Sequence, residues 1–229
     1  SWHNMHLFLP TGSVLWISKM TATCGDLIKV HASMWGGDPA DTGPRTIKVM
    51  RIGNYNGAGA KDLWSSSPIK LKRNRIPAVK SLTRMVETNW PVTTSFKVGS
   101  DWTPGLYVVA TVNDKDIIEN LAPLIIKGKI GASKLLLIHS TLTWTAYNSF
   151  GGRSAYQGPV NAARERSRVV SMDRPILGSG INHVDRDAIA LVQFLESKNI
   201  QVDQIADTDL NRNPSILSHY NGVILSGHA

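Results

Sequence analysis

A chain of 229 residues is long enough for one large domain or two modest ones, so the size of the core sets no constraint. With 42% hydrophobic and 18% charged residues it is not a disordered chain, and its single cysteine, Cys24, excludes an internal disulfide framework and any cysteine-based metal site. The formal charge of +8 is uneven: 16 Lys and Arg stand against 9 Asp and Glu over residues 1–130, but 9 against 8 over residues 131–229.

No apolar run approaches membrane-spanning length, so no membrane partner is expected. The opening SWHNMHLF lacks a charged n-region and an h-region, and Ser1 in place of Met reads as a processed or internal start. A cytoplasmic location is favoured, with secretion left open. The basic excess concentrates at Lys70, Lys72, Arg73, Arg75, Lys80 and Arg84. Without interleaved aromatics, zinc spacing or a reader motif, this run reads as a solvated basic loop open to an acidic partner, and nucleic acid is not an expected ligand.

From Val14 to about Lys127 the chain shows short β-prone runs punctuated by Gly, Pro, Asn and Asp. Leu27–Ala32 and Thr46–Ile52 partly alternate apolar with polar, as half-buried strands do. Ser95–Val98, Gly105–Val112 and Leu124–Ile126 read as further strands, while residues 36–39 and 54–59 carry turn chemistry. This pattern predicts an antiparallel β-sandwich of immunoglobulin-like type over residues 1–130. Trp35, Trp64, Trp90 and Trp102 read as packing residues of that half.

Gly128-Lys129-Ile130-Gly131 is the expected boundary, and the period changes after it. Leu135–His139 reads as a buried strand, Val169–Met172 as a second, Ile200–Ile205 as a third and Val223–Leu225 as a fourth. Asp185 is placed to cap a helix with Ala188, Leu191, Val192 and Leu195 on one face, and Pro214 to begin another reaching Tyr220. Strands alternating with helices predict a parallel α/β domain over residues 131–229. Because the sequence stops one residue after His228, at the end of a buried strand, the C-terminal part of that domain is expected to be missing.

No GxGxxG, P-loop, HExxH or GxSxG occurs. The stretch that attracts attention is Leu135–Tyr156, where a buried strand leads into Tyr147, Asn148, Gly151, Gly152, Arg153, Ser154 and Tyr156. In open α/β sheets ligands bind beyond the carboxyl ends of the strands. Tyr147 and Tyr156 can also be packed aromatics, Asn148 and the glycine pair a tight turn, Asp173-Arg174-Pro175 an ion-paired loop end, and His139 a structural histidine. His228, at a strand end, is a candidate for function.

The blocks AYNSFGGRSAY, SMDRP and GVILSGH resemble the N,N-dimethylformamidase large (beta) subunit family, whose pattern reads AYN-x-W/F-GG-x-S-x-Y, then DRP, then GHxE. IKVMRIGNYNGAGAK and NWPVTTSFKVGSDWTPGLYVV are similar to elements of its first half. Ala229 stands after Gly-His where an acidic residue is commoner, and Ile176 follows DRP where an aromatic is usual. The resemblance implies a glutamine-amidotransferase-like or flavodoxin-like α/β domain and an amidohydrolase that cleaves the C–N bond of a small amide. It further implies one Fe(III) held by two tyrosines and a glutamate. On this sequence the tyrosines are Tyr107 and Tyr147, the glutamate falls beyond Ala229, and His228 is the family's histidine, placed to orient water or move its proton. Asn148 and Ser154 of the same block are expected to contact substrate. An oligomer, with a small second subunit possible, is implied as well. The competing reading is a non-catalytic β-sandwich binding module with a degenerate α/β partner, recruiting an acidic polymer or protein through Lys70–Arg84.

Overall fold

Strand β7 (Gly105–Val112, GLYVVATV) is buried at every position, which for an alternating backbone means that both faces of its sheet are covered. In the computed structural model, which describes residues 12–36, 41 and 43–227, this is how the chain is built. Strands β1 (Gly12–Ile17), β2 (Thr21–Ala22), β3 (Leu27–Trp35), β4 (Thr46–Ile52), β5 (Ala60–Ser65), β6 (Thr94–Lys97), β7 and β8 (Ile118–Ile126) make two sheets. One has the order β1-β3-β6, the other β2-β8-β7-β4-β5. All pairings are antiparallel except β2 with β8, which is parallel, a departure from the purely antiparallel expectation.

The five-stranded sheet is a middle layer. Tyr107 and Val109 of β7 point to one side, into a core shared with Leu15, Ile28, Val30 and Phe96 of the three-stranded sheet. Leu106, Val108, Ala110 and Val112 point to the other side, into a core shared with Leu137, Trp144, Ile181, Val192 and Leu195. The two halves of the chain therefore share one apolar interior. At roughly 25 cal/mol per Å² of buried apolar surface, that interior accounts for much of the fold's stabilisation.

The second half is a three-stranded parallel sheet of order β10-β9-β11, with β9 at Leu135–His139, β10 at Val202–Ala206 and β11 at Gly222–Ser226. Between β9 and β10 run α1 (Thr141–Tyr147), α2 (Ser179–His183), a π-turn (Val184–Ile189) and α3 (Ala190–Ser197). Their apolar side chains lie on the side of the sheet that meets the β half. Between β10 and β11 run α4 (Asp207–Arg212) and a 3-10 turn (Pro214–His219), whose Leu210 and Ile216 pack against Leu136 and Ile138 on the opposite side. Adjacent strands β9 and β10 thus send their connections to opposite faces, which opens a crevice beyond their carboxyl ends.

Two sequence expectations fail here. Val169–Met172 is no strand; Val169 is 47% exposed and the stretch bends over the surface. Asp185 caps nothing, because the helix already begins at Ser179 and Asp185 lies inside the π-turn. The basic run, by contrast, does lie in a long irregular stretch over residues 70–93, punctuated by Pro77 and Pro91 and held down by Val86 and Trp90.

Candidate active site at the ends of the parallel strands

Helix α1 follows β9 directly, so its first residue, Thr141, lies at the carboxyl-end side of the sheet. Asp207, from the other side of the crevice, holds the first turn of α1: its carboxylate accepts from Thr141 Oγ1 at 2.5 Å and from the Leu142 amide at 3.0 Å. Helix α2 approaches α1 closely because Gly180 has no side chain. A Cβ there would come within 2.7 Å of the Trp144 carbonyl oxygen and 2.9 Å of Asn148 Cα.

That approach brings three groups together. The ring of Tyr147 lies 4.3 Å from that of Tyr156 and 4.6 Å from that of His183, centroid to centroid. His183 Nδ1 is 2.7 Å from Asp187 Oδ2, one turn on. Asp187 also accepts from Arg186 Nε at 2.7 Å, and it lies against the Gly227 turn at the end of β11, where a Cβ would come within 2.9 Å of its Oδ2. The Arg186 guanidinium, together with the His183 bond, holds the Asp187 carboxyl below the usual carboxylate range. His183 Nδ1 faces both the Asp187 carboxylate and, at 3.1 Å, Arg186 Nη2; the carboxylate favours that nitrogen as the donor. Burial pushes the Tyr147 phenol up, helped by the neighbouring Tyr156 and its hydrogen bond. The π-turn that carries Asp187 is a type of irregularity frequent at functional sites.

The loop after Tyr147 is held by buried polar side chains. Asn148 Nδ2 donates to the Pro175 carbonyl at 2.8 Å, while its Oδ1 accepts from the amides of Phe150 and Leu177, both at 3.0 Å. The Arg174 guanidinium, 1% exposed, donates to the carbonyls of Asn148, Phe150, Arg153 and Ser171. Burial without a carboxylate pulls its pKa down to about 10. Asp173-Arg174 is therefore not an ion-paired loop end; Asp173 is exposed and Arg174 is turned inward to backbone oxygens.

Of the residues expected from the sequence, only Tyr147 lies in this cluster by its described contacts. Asn148 is 1% and Ser154 3% exposed. Asn148 clamps the loop as above, and Ser154 Oγ accepts from the amides of Tyr156 and Gln157, so both side chains shape the loop. His228 lies outside the described residues. Tyr107 is fully buried in the core between the two β sheets, stacked on Trp102 with its hydroxyl donating to the Thr103 carbonyl at 2.6 Å. It points away from the face of β7 that meets α1. Burial also raises its pKa, which disfavours a phenolate. Tyr107 and Tyr147 do not form one donor set, and an iron held by that pair does not fit this arrangement. Among the described residues no cluster of three His, Cys, Asp or Glu is disposed to hold a metal.

His139, a residue the sequence reading assigned to structure, is fully buried at the end of β9, with Nε2 2.8 Å from Gln204 Oε1. Sequence reasoning missed the His183–Asp187 pair; its signal was the i, i+4 spacing of the two residues in a helical stretch. A further cavity of about 550 Å³ opens on the β10 side of the crevice, lined by Lys19, Lys127, Thr141, Asp173, Thr208 and Arg212 among others.

A layered β half packed on a parallel sheet, with a phenol, an imidazole and a carboxylate at the ends of its strands, makes this a β plus α/β protein with a polar crevice. The chain belongs to the N,N-dimethylformamidase beta subunit-like family, whose C-terminal region it matches over residues 46–229. No curated protein sequence matches it. Among solved structures, a cycloisomaltooligosaccharide glucanotransferase from Paenibacillus sp., complexed with cycloisomaltoheptaose, is similar at 7% identity and a TM-score of 0.34. That similarity covers 61% of this chain and 18% of the glucanotransferase. No helix among the described residues is long and apolar enough to cross a membrane.

Proposed function

We propose that the chain contributes the crevice of an amidohydrolase that cleaves the C–N bond of a small amide with water, giving a carboxylic acid and an amine. The observation that supports this is the placement of the family's AYN block: Tyr147 meets Tyr156 and the His183–Asp187 pair at the ends of the parallel strands. In this reading His183, oriented by its Nδ1 contact with Asp187, is the general base that activates water. Tyr147 and Tyr156 supply hydroxyl donors for an amide carbonyl. His228, next in sequence after Gly227, belongs to this proposal as a second proton carrier.

Ferric iron enters the proposal through the family resemblance. A cation bound there would favour the phenolate of Tyr147. The same reading takes the two β sheets as an immunoglobulin-like sandwich over residues 1–130 and the parallel sheet as a flavodoxin-like domain over 131–229. It places the chain in an oligomer with a further, smaller subunit.

The test is hydrolysis of N,N-dimethylformamide by the intact protein, followed as released dimethylamine, with metal content measured on the same preparation. Activity with bound iron, lost in Tyr147→Phe, supports the reading. A fully active Tyr147→Phe variant removes Tyr147 from the chemistry, and no hydrolysis of any small amide removes the function.

A further inference from the structure

Two loops far apart in sequence form a ridge that the crevice does not use. Arg84 donates to the carbonyl of Arg164, the Arg168 amide donates to the Thr83 carbonyl at 2.8 Å, and Ser167 Oγ donates to the Arg84 carbonyl at 2.8 Å. The ridge carries two apolar tips: Leu82 is 83% and Val160 97% exposed. Val160 sits at φ +48, in the left-handed region, followed by Asn161 at φ +60. A β-branched residue gains nothing locally from that conformation, and such strain persists where the surroundings impose it, often at recognition sites.

Around the tips cations outnumber carboxylates. Glu87 and Glu165 are engaged by Lys80 and by Arg84 and Arg153. Arg164, Arg166 and Arg168 are exposed and have no carboxylate partner among the described residues. The part of the basic run that joins this ridge is Lys80–Arg84; it meets a second set of arginines that the sequence places some 80 residues away.

We propose that this ridge docks an acidic protein surface, with the exposed Leu82 and Val160 as apolar contacts and Arg164, Arg166 and Arg168 as cationic ones. Protein interfaces combine such apolar contacts with arginine, whose planar guanidinium pairs carboxylates bidentately. Two aliphatic tips on loops, without an amphipathic helix, suit a protein socket better than a lipid surface. The ridge is tied to the crevice loop through the Ser167 amide on the Ser154 carbonyl at 2.8 Å, so a partner seated there lies beside Tyr147 and Tyr156.

Fluorescence anisotropy with a labelled synthetic peptide of Asp, Glu and Leu tests this, with poly-glutamate and phosphatidylglycerol vesicles as parallel probes. The peptide is expected to bind in a salt-sensitive manner and to weaken by about tenfold or more when Arg164, Arg166 and Arg168 are all changed to Glu. Leu82→Ser with Val160→Gly, a pair that relieves the strained φ and so threatens the fold little, is expected to weaken the peptide while leaving poly-glutamate unchanged. Absence of peptide binding to the unmodified protein, equal binding by the charge-reversed variant, or tighter binding to vesicles than to peptide each overturns the proposal.

Discussion

Arg174 Nη2 donates to the carbonyl oxygen of Asn148 at 3.1 Å, and with that bond two blocks of sequence 26 residues apart become one rigid turn. Asn148 answers with its own side chain, reaching Pro175 and Leu177 on the far block. The pair fixes the backbone immediately after Tyr147, so the phenol is positioned by buried groups. Catalytic precision of this kind comes from supporting groups whose own positions are locked.

Removing that support is expected to be costly. Arg174→Ala leaves four backbone oxygens without their donor, and a loss of about 3 kcal/mol follows from the energetics of buried, charge-assisted hydrogen bonds. Chemical denaturation of the variant measures it. Arg174→Lys, with a point charge and three donors in place of a planar fork, is expected to recover only part of the loss. A variant as stable as the parent shows that the turn is held by something else.

Tyr107 and Tyr147 are expected to behave differently. Tyr107→Phe loses the bond to the Thr103 carbonyl and costs about 1 kcal/mol, with metal content and amide hydrolysis unchanged. Tyr147→Phe leaves stability within about 0.5 kcal/mol and abolishes hydrolysis. Metal analysis beside thermal melts separates the two, and loss of iron in Tyr107→Phe would show that the tyrosine leaves the β core in the working protein.

The sequence was a good guide to the strands and a poor one to the site, for reasons that particular residues make plain. Thr46–Ile52, Gly105–Val112 and Leu135–His139 form over the ranges their apolar runs suggest. Yet a strand buried on both faces shows no alternation, so nothing in GLYVVATV tells which side Tyr107 takes. Helix α1 was illegible because TLTWTAY carries three β-branched threonines; Asp207 and the close approach at Gly180 stabilise it from outside. The His183–Asp187 pair lay in plain view at helical spacing, but only the fold brings it to Tyr147.

Gly180→Ala tests the closeness of α1 and α2. The added methyl meets backbone atoms of Trp144 and Asn148 that cannot swing aside, so the helices must separate. A loss of about 1–3 kcal/mol is expected, as for overpacked cores. Amide hydrolysis is expected to fall further than stability alone explains, because α2 carries His183. A thermal melt and a rate measurement on the same variant decide it; unchanged activity would detach α2 from the chemistry.

His139 gives the fold a pH dependence of its own. Burial pulls its pKa down to about 4 from an ordinary value near 6.5, against the partial support of Gln204 and the charge of Asp207. Because the folded pKa is the lower one, the unfolded chain takes up the proton first as pH falls. The neutral imidazole's contribution is fully present above about pH 6.5 and is lost progressively down to about pH 4, a change on the order of 3 kcal/mol. His139→Gln, which keeps a polar group beside Gln204 but cannot titrate, is expected to flatten that part of the stability profile. The difference between parent and variant across the window isolates His139 from the carboxylates that titrate nearby. Parallel profiles for the two proteins would mean that the imidazole reaches water in the folded state.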